Sequence, residues 1–284
     1  MRFIGLHGVG SSGSICESQF VPLMKAADPS YEFVFVDGPI EFIRGPGMGA
    51  QFNGPFFSHA EGYSPKQMRN ALDHLEAAID QLGPFDGVVG FSQGAALAVA
   101  YMHDQVHRTG QNPFKVAFLF STVCAFSPNP DQSLAEIQGL CKLGRELGAA
   151  TEAQPDKGLS SSELALYEAL SNVIKPLRDG HALLPDIDLD LYTKGDGAEA
   201  PRLLLPQLMD RKLSIPSIHV HGKKDAQFMR DMSLIARAMF DPKMIKTLEH
   251  SGTHHPPQKD SEVRAAVRAM EWAIEQHRKL ELSR

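Results

Sequence analysis

The sequence predicts an α/β fold: a mainly parallel sheet with helices on both faces. Three observations predict it. Apolar runs of strand length alternate with segments of helical periodicity along most of the chain. Those runs are continuously apolar, as in strands buried on both faces. The run Val88-Val89 passes through Gly-Phe-Ser-Gln-Gly straight into the small-residue stretch AALAVA, a strand that becomes a helix across a tight turn.

Taken in order, Arg2 to Leu6 is the first strand, ending in the glycine-rich HGVGSSG, and a helix is expected from Ser14 to Ala27. Tyr31 to Val36 is the second strand. Residues 37–64 are so rich in Gly and Pro that they are expected to form a long loop without elements. Ser64 before Pro65 marks a helix start, and Leu72, Leu75, Ile79 and Leu82 follow at helical spacing. A strand at Gly87 to Phe91, a helix at Ala95 to His107 and a buried strand at Phe114 to Ser121 come next. Further on lie a strand at Ile215 to Val220, a helix at Ala226 to Phe240 and a short strand at Met244 to Glu249. The last helix carries Val263, Val267, Met270 and Ile274 on one stripe, and Trp272 is expected to pack there.

Residues 125–212 break this rhythm, being too long for a simple crossover. They hold two helix-like pieces, Ser133 to Leu147 and Ser161 to Leu177, and fourteen acidic against nine basic side chains, so −5 of the net charge of −6 sits there. The block reads as a cap inserted into a single domain of residues 1–284, since its apolar content suits packing on something else better than a core of its own.

The same negative balance argues against nucleic-acid binding, which needs a basic face. The longest apolar run, Ala95 to Met102, is far short of the roughly 20 residues that span a bilayer, and Met1 to Gly10 lacks the apolar segment of a secretory signal. A soluble, cytoplasmic protein is expected. Cys16, Cys124 and Cys141 are too few and too scattered for a disulfide framework or a zinc cluster. Asp186, Asp188 and Asp190 alternate as a solvated acidic edge, so no metal and no cofactor is expected. GVGSSG lacks the lysine of a phosphate-binding P-loop and the order of a dinucleotide motif.

The chemistry centres on Ser92. Gly-x-Ser-x-Gly between strand and helix sets the serine on a strained turn where flanking side chains would collide, and it exposes the hydroxyl; the bland alternative is a serine that caps the helix. Such a hydroxyl needs a base and an orienting carboxylate, which follow it in chain order on later loops. Asp225 in HGKKD and a histidine in HSGTHHPP meet this, with Asp231 as the nearest substitute acid. Spacing cannot choose between His254 and His255. His219 and His221 lie in or at the end of a strand and suit packing; His7 and His250 suit the ordering of loops. Oxyanion donors are expected from the backbone amides of Gln93 and Val9.

Together LHGVGSSGS, VDGP, GFSQGA, HGKKD and SGTHHPP resemble the family of serine hydrolases typified by small yeast enzymes and by the thioesterases of fungal polyketide pathways. The resemblance covers nearly the whole chain. It implies an α/β-hydrolase fold and a triad of Ser92, Asp225 and His254. In the family's usual Gly-Gly-His-x-x-Pro loop, His254 aligns with the base and Thr253 stands where a glycine is usual. The activity implied is hydrolysis of an acyl thioester or ester through an acyl-enzyme, releasing a polyketide or fatty acyl chain from an acyl carrier protein. A macrolactone-forming cyclase or acyltransferase using the same acyl-enzyme is the alternative, and a non-catalytic binding protein on the same scaffold is a third. Phe52, Phe56, Phe57, Phe126 and the helix around Leu164 to Leu170 are candidate pocket walls, each read equally well as core. A basic rim of Lys175, Arg178, Arg211 and Lys212 is the candidate docking surface for the carrier.

Overall fold

The computed structural model describes residues 1–144, 158–176 and 188–283. The chain runs β1 (Arg2–Leu6), α1 (Gly13–Ala26), β2 (Glu32–Val36), β3 (Ile40–Phe42), β4 (Phe56–Ser58), α2 (Pro65–Leu82), β5 (Gly87–Phe91), α3 (Gln93–Thr109) and β6 (Val116–Phe120). It continues through β7 (Phe126–Ser127), α4 (Leu134–Leu143), α5 (Ser161–Ala169), β8 (Arg202–Leu203), β9 (Ser217–Gly222), α6 (Gln227–Ala238), β10 (Ile245–His250) and α7 (Asp260–Leu282).

Six strands form one sheet in the order β10-β9-β6-β5-β1-β2, every neighbouring pair parallel. Side chains alternate across it, as the twofold period of a strand requires. Phe3, Val89 and Phe118 face a cluster built with α1 and α7. Ile4, Leu6, Val88 and Leu119 face the opposite cluster, where α2 and α3 pack. This is the α/β-hydrolase architecture. The winding changes direction between β1 and β5: β2 lies on one side of β1, and β5, β6, β9 and β10 follow on the other. Crevices in open α/β sheets form at such a switch, beyond the carboxyl ends of the strands, which places the loops after β1 and β5 at the mouth.

The capping chemistry read at Ser64 is present: its hydroxyl accepts from Gln67 N, and the Gln67 side chain accepts from Ser64 N. Trp272 packs against the α1/α7 cluster, with Lys246 Nζ 4.8 Å from its ring centre. Among the described residues no helix is long and apolar enough to cross a membrane.

Two readings are corrected. Residues 37–64 are not free of elements: β3 and β4 form an antiparallel pair, and β4 is held to the loop after β1 by Phe57 N donating to Ser11 O at 2.6 Å and Gly10 N donating to Phe57 O at 2.9 Å. Strands of three residues flanked by Gly and Pro are too short to show a period, and tertiary pairing makes them. α3 also starts at Gln93, two residues before the apolar run that announces it.

Between β6 and β9 the described pieces share the α2/α3 core: Leu166, Leu170 and Tyr192 are fully buried in it. Arg202 is fully buried as well. Its guanidinium donates to the carbonyls of Pro130 at 2.7 Å, Gly197 at 2.9 Å, Ala198 at 3.0 Å and Ala200, and these charge-assisted bonds offset its desolvation. The helix read over Ser161 to Leu177 is α5 followed by a π-helical stretch, Leu170–Ile174. Arg145, Glu146 and Leu147, Leu177, Arg178 and Asp186 lie outside the described residues.

Candidate active site

Ser92 sits between β5 and α3 at φ 53°, ψ −114°, a region that costs a non-glycine residue about 1–3 kcal/mol. Its amide donates to Phe120 O at 2.9 Å, which ties the turn to β6. The glycines on either side are required by space: a Cβ on Gly90 would stand 2.5 Å from Ala95 Cα, and one on Gly94 would stand 2.3 Å from Leu6 O. Although Ser92 occupies the cap position of α3, its side chain makes no capping bond. The hydroxyl turns elsewhere.

It turns to His254. Ser92 Oγ and His254 Nε2 are 2.9 Å apart, and His254 Nδ1 is 2.6 Å from Asp225 Oδ2. With the carboxylate ionised, Nδ1 carries the proton and donates it, which leaves Nε2 to accept from the serine hydroxyl. Asp225 is nearly buried, while the His254 side chain keeps 26% exposure, so the relay opens to solvent at the histidine. The other carboxylate oxygen accepts from Ala226 N at 2.9 Å. Arg230 Nη1 clamps the main chain of this turn by donating to Asp225 O at 2.6 Å and Lys223 O at 3.1 Å. Two further bonds stitch the acid loop to the base loop: Lys223 N to His250 O at 2.8 Å and Lys224 N to Gly252 O at 2.9 Å.

His255 takes no part in this line. Its Nδ1 donates to Pro256 O at 2.7 Å, and its ring faces His250 with centroids 5.1 Å apart. His250 Nδ1 accepts from Gly252 N at 3.2 Å, which orders the base loop. Asp231 accepts from Gln227 Nε2 at 2.7 Å along the surface of α6. His219 is buried edge-on against Phe240, and burial pushes its ring down to about 3. His221 lies 3.4 Å from Glu249.

The loop after β1 passes close to the serine: a Cβ on Gly8 would stand 3.3 Å from Ser92 Cβ. His7 holds that loop, donating from Nδ1 to Gly8 O at 2.7 Å and accepting at Nε2 from Gly38 N at 2.9 Å. Among the described residues the amides of Val9 and Gln93 have no hydrogen-bond partner, which leaves both available to an incoming oxygen. The side chain of Gln93 has a second task that the motif does not announce. Its Oε1 accepts from His59 N at 3.0 Å, and its Nε2 donates to Ser58 Oγ at 2.9 Å and Tyr63 Oη at 3.3 Å. No local pattern around Ser58 to Tyr63 signals this, because the contact spans more than thirty residues of chain.

Of the four candidate wall phenylalanines, Phe126 lines a pocket beside the first turn of α3, with His59, Tyr63, Met68, Gln93 and Leu97 among its neighbours there. Phe56 lies under Arg44, 5.5 Å from ring centre to guanidinium. Phe57 is half-buried on the strand paired with Ser11, and Phe52 donates its amide to Gly49 O at 3.2 Å in the loop before β4. Cys16 and Cys124 are buried thiols, and Cys141 is half-buried. Asp188 accepts from Asp190 N, and Asp190 pairs with Lys194 at 2.8 Å. Among the described residues no group of three or more His, Cys, Asp or Glu side chains could hold a metal ion.

The family model described as "Serine hydrolase (FSH1)" matches residues 1–266. Among curated relatives, the esterase alnB of Emericella nidulans is 34% identical over 278 residues, covering 98% of each chain. The serine hydrolase cnsH of Penicillium expansum is 27% identical, covering 84% of this chain and 98% of its own. The hydrolase FUB4 of Fusarium oxysporum f. sp. lycopersici is 28% identical, covering 93% and 94%. An elbow serine on a parallel sheet and a family match over nearly the full length point to one conclusion: the chain is a hydrolase that belongs to the serine hydrolase (FSH1) family.

Proposed function

We propose that Ser92 is the nucleophile, His254 the general base and acid, and Asp225 the group that orients it, in the hydrolysis of an acyl thioester through an acyl-enzyme. The observation that carries this is the unbroken line of hydrogen bonds from Asp225 Oδ2 through both nitrogens of His254 to Ser92 Oγ. Ser92 Oγ attacks the acyl carbon as its proton passes to His254 Nε2, and the resulting oxyanion is received by the amides of Val9 and Gln93. Collapse expels the thiolate, which takes the proton from His254. Water then attacks the acyl-enzyme and gives its proton to the same nitrogen; collapse of the second intermediate returns it to Ser92 and frees the acid.

The curated relative named an esterase supports the acyl chemistry. The choice of thioester, and of an acyl carrier protein as the bearer of a polyketide or fatty acyl chain, rests on the motif resemblance. Residues 125–212 then serve as the cap over the acyl site, and Lys175, Arg211 and Lys212 as the described part of the docking rim.

A fluorophosphonate probe tests the core of this reading. It should label wild-type protein at Ser92 and fail on Ser92→Ala, which should also lose thioester hydrolysis; unchanged turnover in that variant sinks the assignment. Product analysis on a hydroxyacyl thioester should give free acid, and a lactone instead would replace hydrolysis with cyclisation. Reversing charge at Lys175 and Lys212 should raise KM for carrier-bound substrate and spare a small thioester.

A further inference from the structure

His59 lies in the turn after β4 and is 3% exposed, with its ring 4.2 Å from that of His7. Because its amide donates to Gln93 Oε1 at 3.0 Å, it stands one side chain away from Ser92. Its ring Nε2 is buried with no hydrogen-bond partner. Burial holds the ring well below the usual imidazole range, so it is neutral, and Nε2 either bears the single proton or presents a lone pair. An unpaired buried polar atom costs about 1–3 kcal/mol, and nothing in the serine relay uses this one.

His59 lines the pocket beside the first turn of α3, whose walls are otherwise mostly apolar: Met68, Leu97, Ala125 and Phe126 among them. Gln93 lines it too, but its side-chain amide is already bonded to Ser58, His59 and Tyr63, which leaves Tyr63 as the other polar group. Its hydroxyl oxygen accepts from Gln93 Nε2 at 3.3 Å, and among the described residues no acceptor is recorded for its proton. The pocket therefore offers an unpaired imidazole nitrogen and a hydroxyl donor against an apolar lining. An ammonium would bury an unpaired charge. A hydroxyl both donates and accepts, so it meets Nε2 in either tautomer and the tyrosine as well.

We propose that this pocket receives a hydroxyl carried on the substrate's acyl chain, bonded to His59 Nε2 and accepting from Tyr63 Oη, which makes both residues determinants of specificity for hydroxyacyl substrates. The inference rests on the reading of Ser92 as the nucleophile of an acyl hydrolase.

The test gives the purified full chain N-acetylcysteamine thioesters of hexanoic acid, unsubstituted and with one hydroxyl moved along the chain carbon by carbon. One hydroxylated isomer should exceed the parent in kcat/KM by about tenfold, a factor that one hydrogen-bonded group can supply. His59→Phe and Tyr63→Phe should each pull that ratio towards one. Where His59→Phe does not fold, as read by thermal melting, Tyr63→Phe decides. Wild type hydrolysing every isomer at the parent's rate overturns this inference alone, as does a preference that survives in the folded variants, the result for a cavity that holds only water. Hydrolysis of none of the compounds overturns the Ser92 reading and this one with it.

Discussion

His254 Nε2 and Ser92 Oγ stand 2.9 Å apart although 162 positions separate them in the chain, whereas the next residue, His255, spends its Nδ1 on the Pro256 carbonyl. Two chain neighbours of identical chemistry therefore have separate tasks. Replacing the base of such a relay typically costs on the order of 10³ or more in kcat. His254→Ala should fall by that much in steady-state hydrolysis, and His255→Ala should stay within about threefold of wild type, about 0.6 kcal/mol. The reverse ranking would transfer the role to His255.

The elbow glycines make a stability prediction. A methyl on Gly94 has no room against the Leu6 and His7 carbonyls, at 2.3 and 2.6 Å, and backbone cannot yield as a flexible side chain can. Gly94→Ala should lose about 1–3 kcal/mol and lower the melting temperature by several degrees. Gly110 at the end of α3 is the control: it has φ +77° but open space around its missing Cβ. Gly110→Ala carries only the backbone term, about 1 kcal/mol, so a larger drop there than at Gly94 would contradict the steric account.

Several histidines are buried in the neutral form. Burial lowers His219 to about 3 and His59 well below its usual value, and it lowers His7 and His250 as well. A histidine depressed by folding binds its proton more readily in the unfolded chain, so the stability it supports is complete above the unfolded value of 6.5 and is lost as pH falls towards the folded one. For His219 the window runs from 6.5 down to about 3, with a limiting slope of about 1.4 kcal/mol per pH unit. Urea unfolding between neutral and mildly acidic pH should show stability falling with acid, and His219→Gln should flatten the slope by about one proton. A slope identical in the variant would mean that His219 does not contribute.

How far the molecule can be read from its residues follows from where each signal lies. The central strands β1, β5, β6 and β9 are legible because burial on both faces makes them largely apolar runs, and the elbow is legible because Gly90 and Gly94 stand where side chains cannot. Asp225 is legible as a candidate acid because it follows a strand by a few residues. The choice between His254 and His255 is not legible from spacing, which two neighbours share; only the resemblance of the loop Gly252 to Pro257 to the family's pattern favours His254. Nor are the β3/β4 pair and the bonds from Gln93 to Ser58, His59 and Tyr63 legible: they are made across distant segments, and no local period records a tertiary contact.

The parallel winding also orders events in time. The strained serine and its helix leave the ribosome early, but the imidazole proposed as its base follows β10, the last strand to be made. Domains generally fold as units, so a half-synthesised chain has neither the complete sheet nor an imidazole at position 254 to accept the serine's proton. Under the assignment above, acyl transfer to the enzyme therefore waits for completion of the sheet, and growing chains cannot be acylated prematurely.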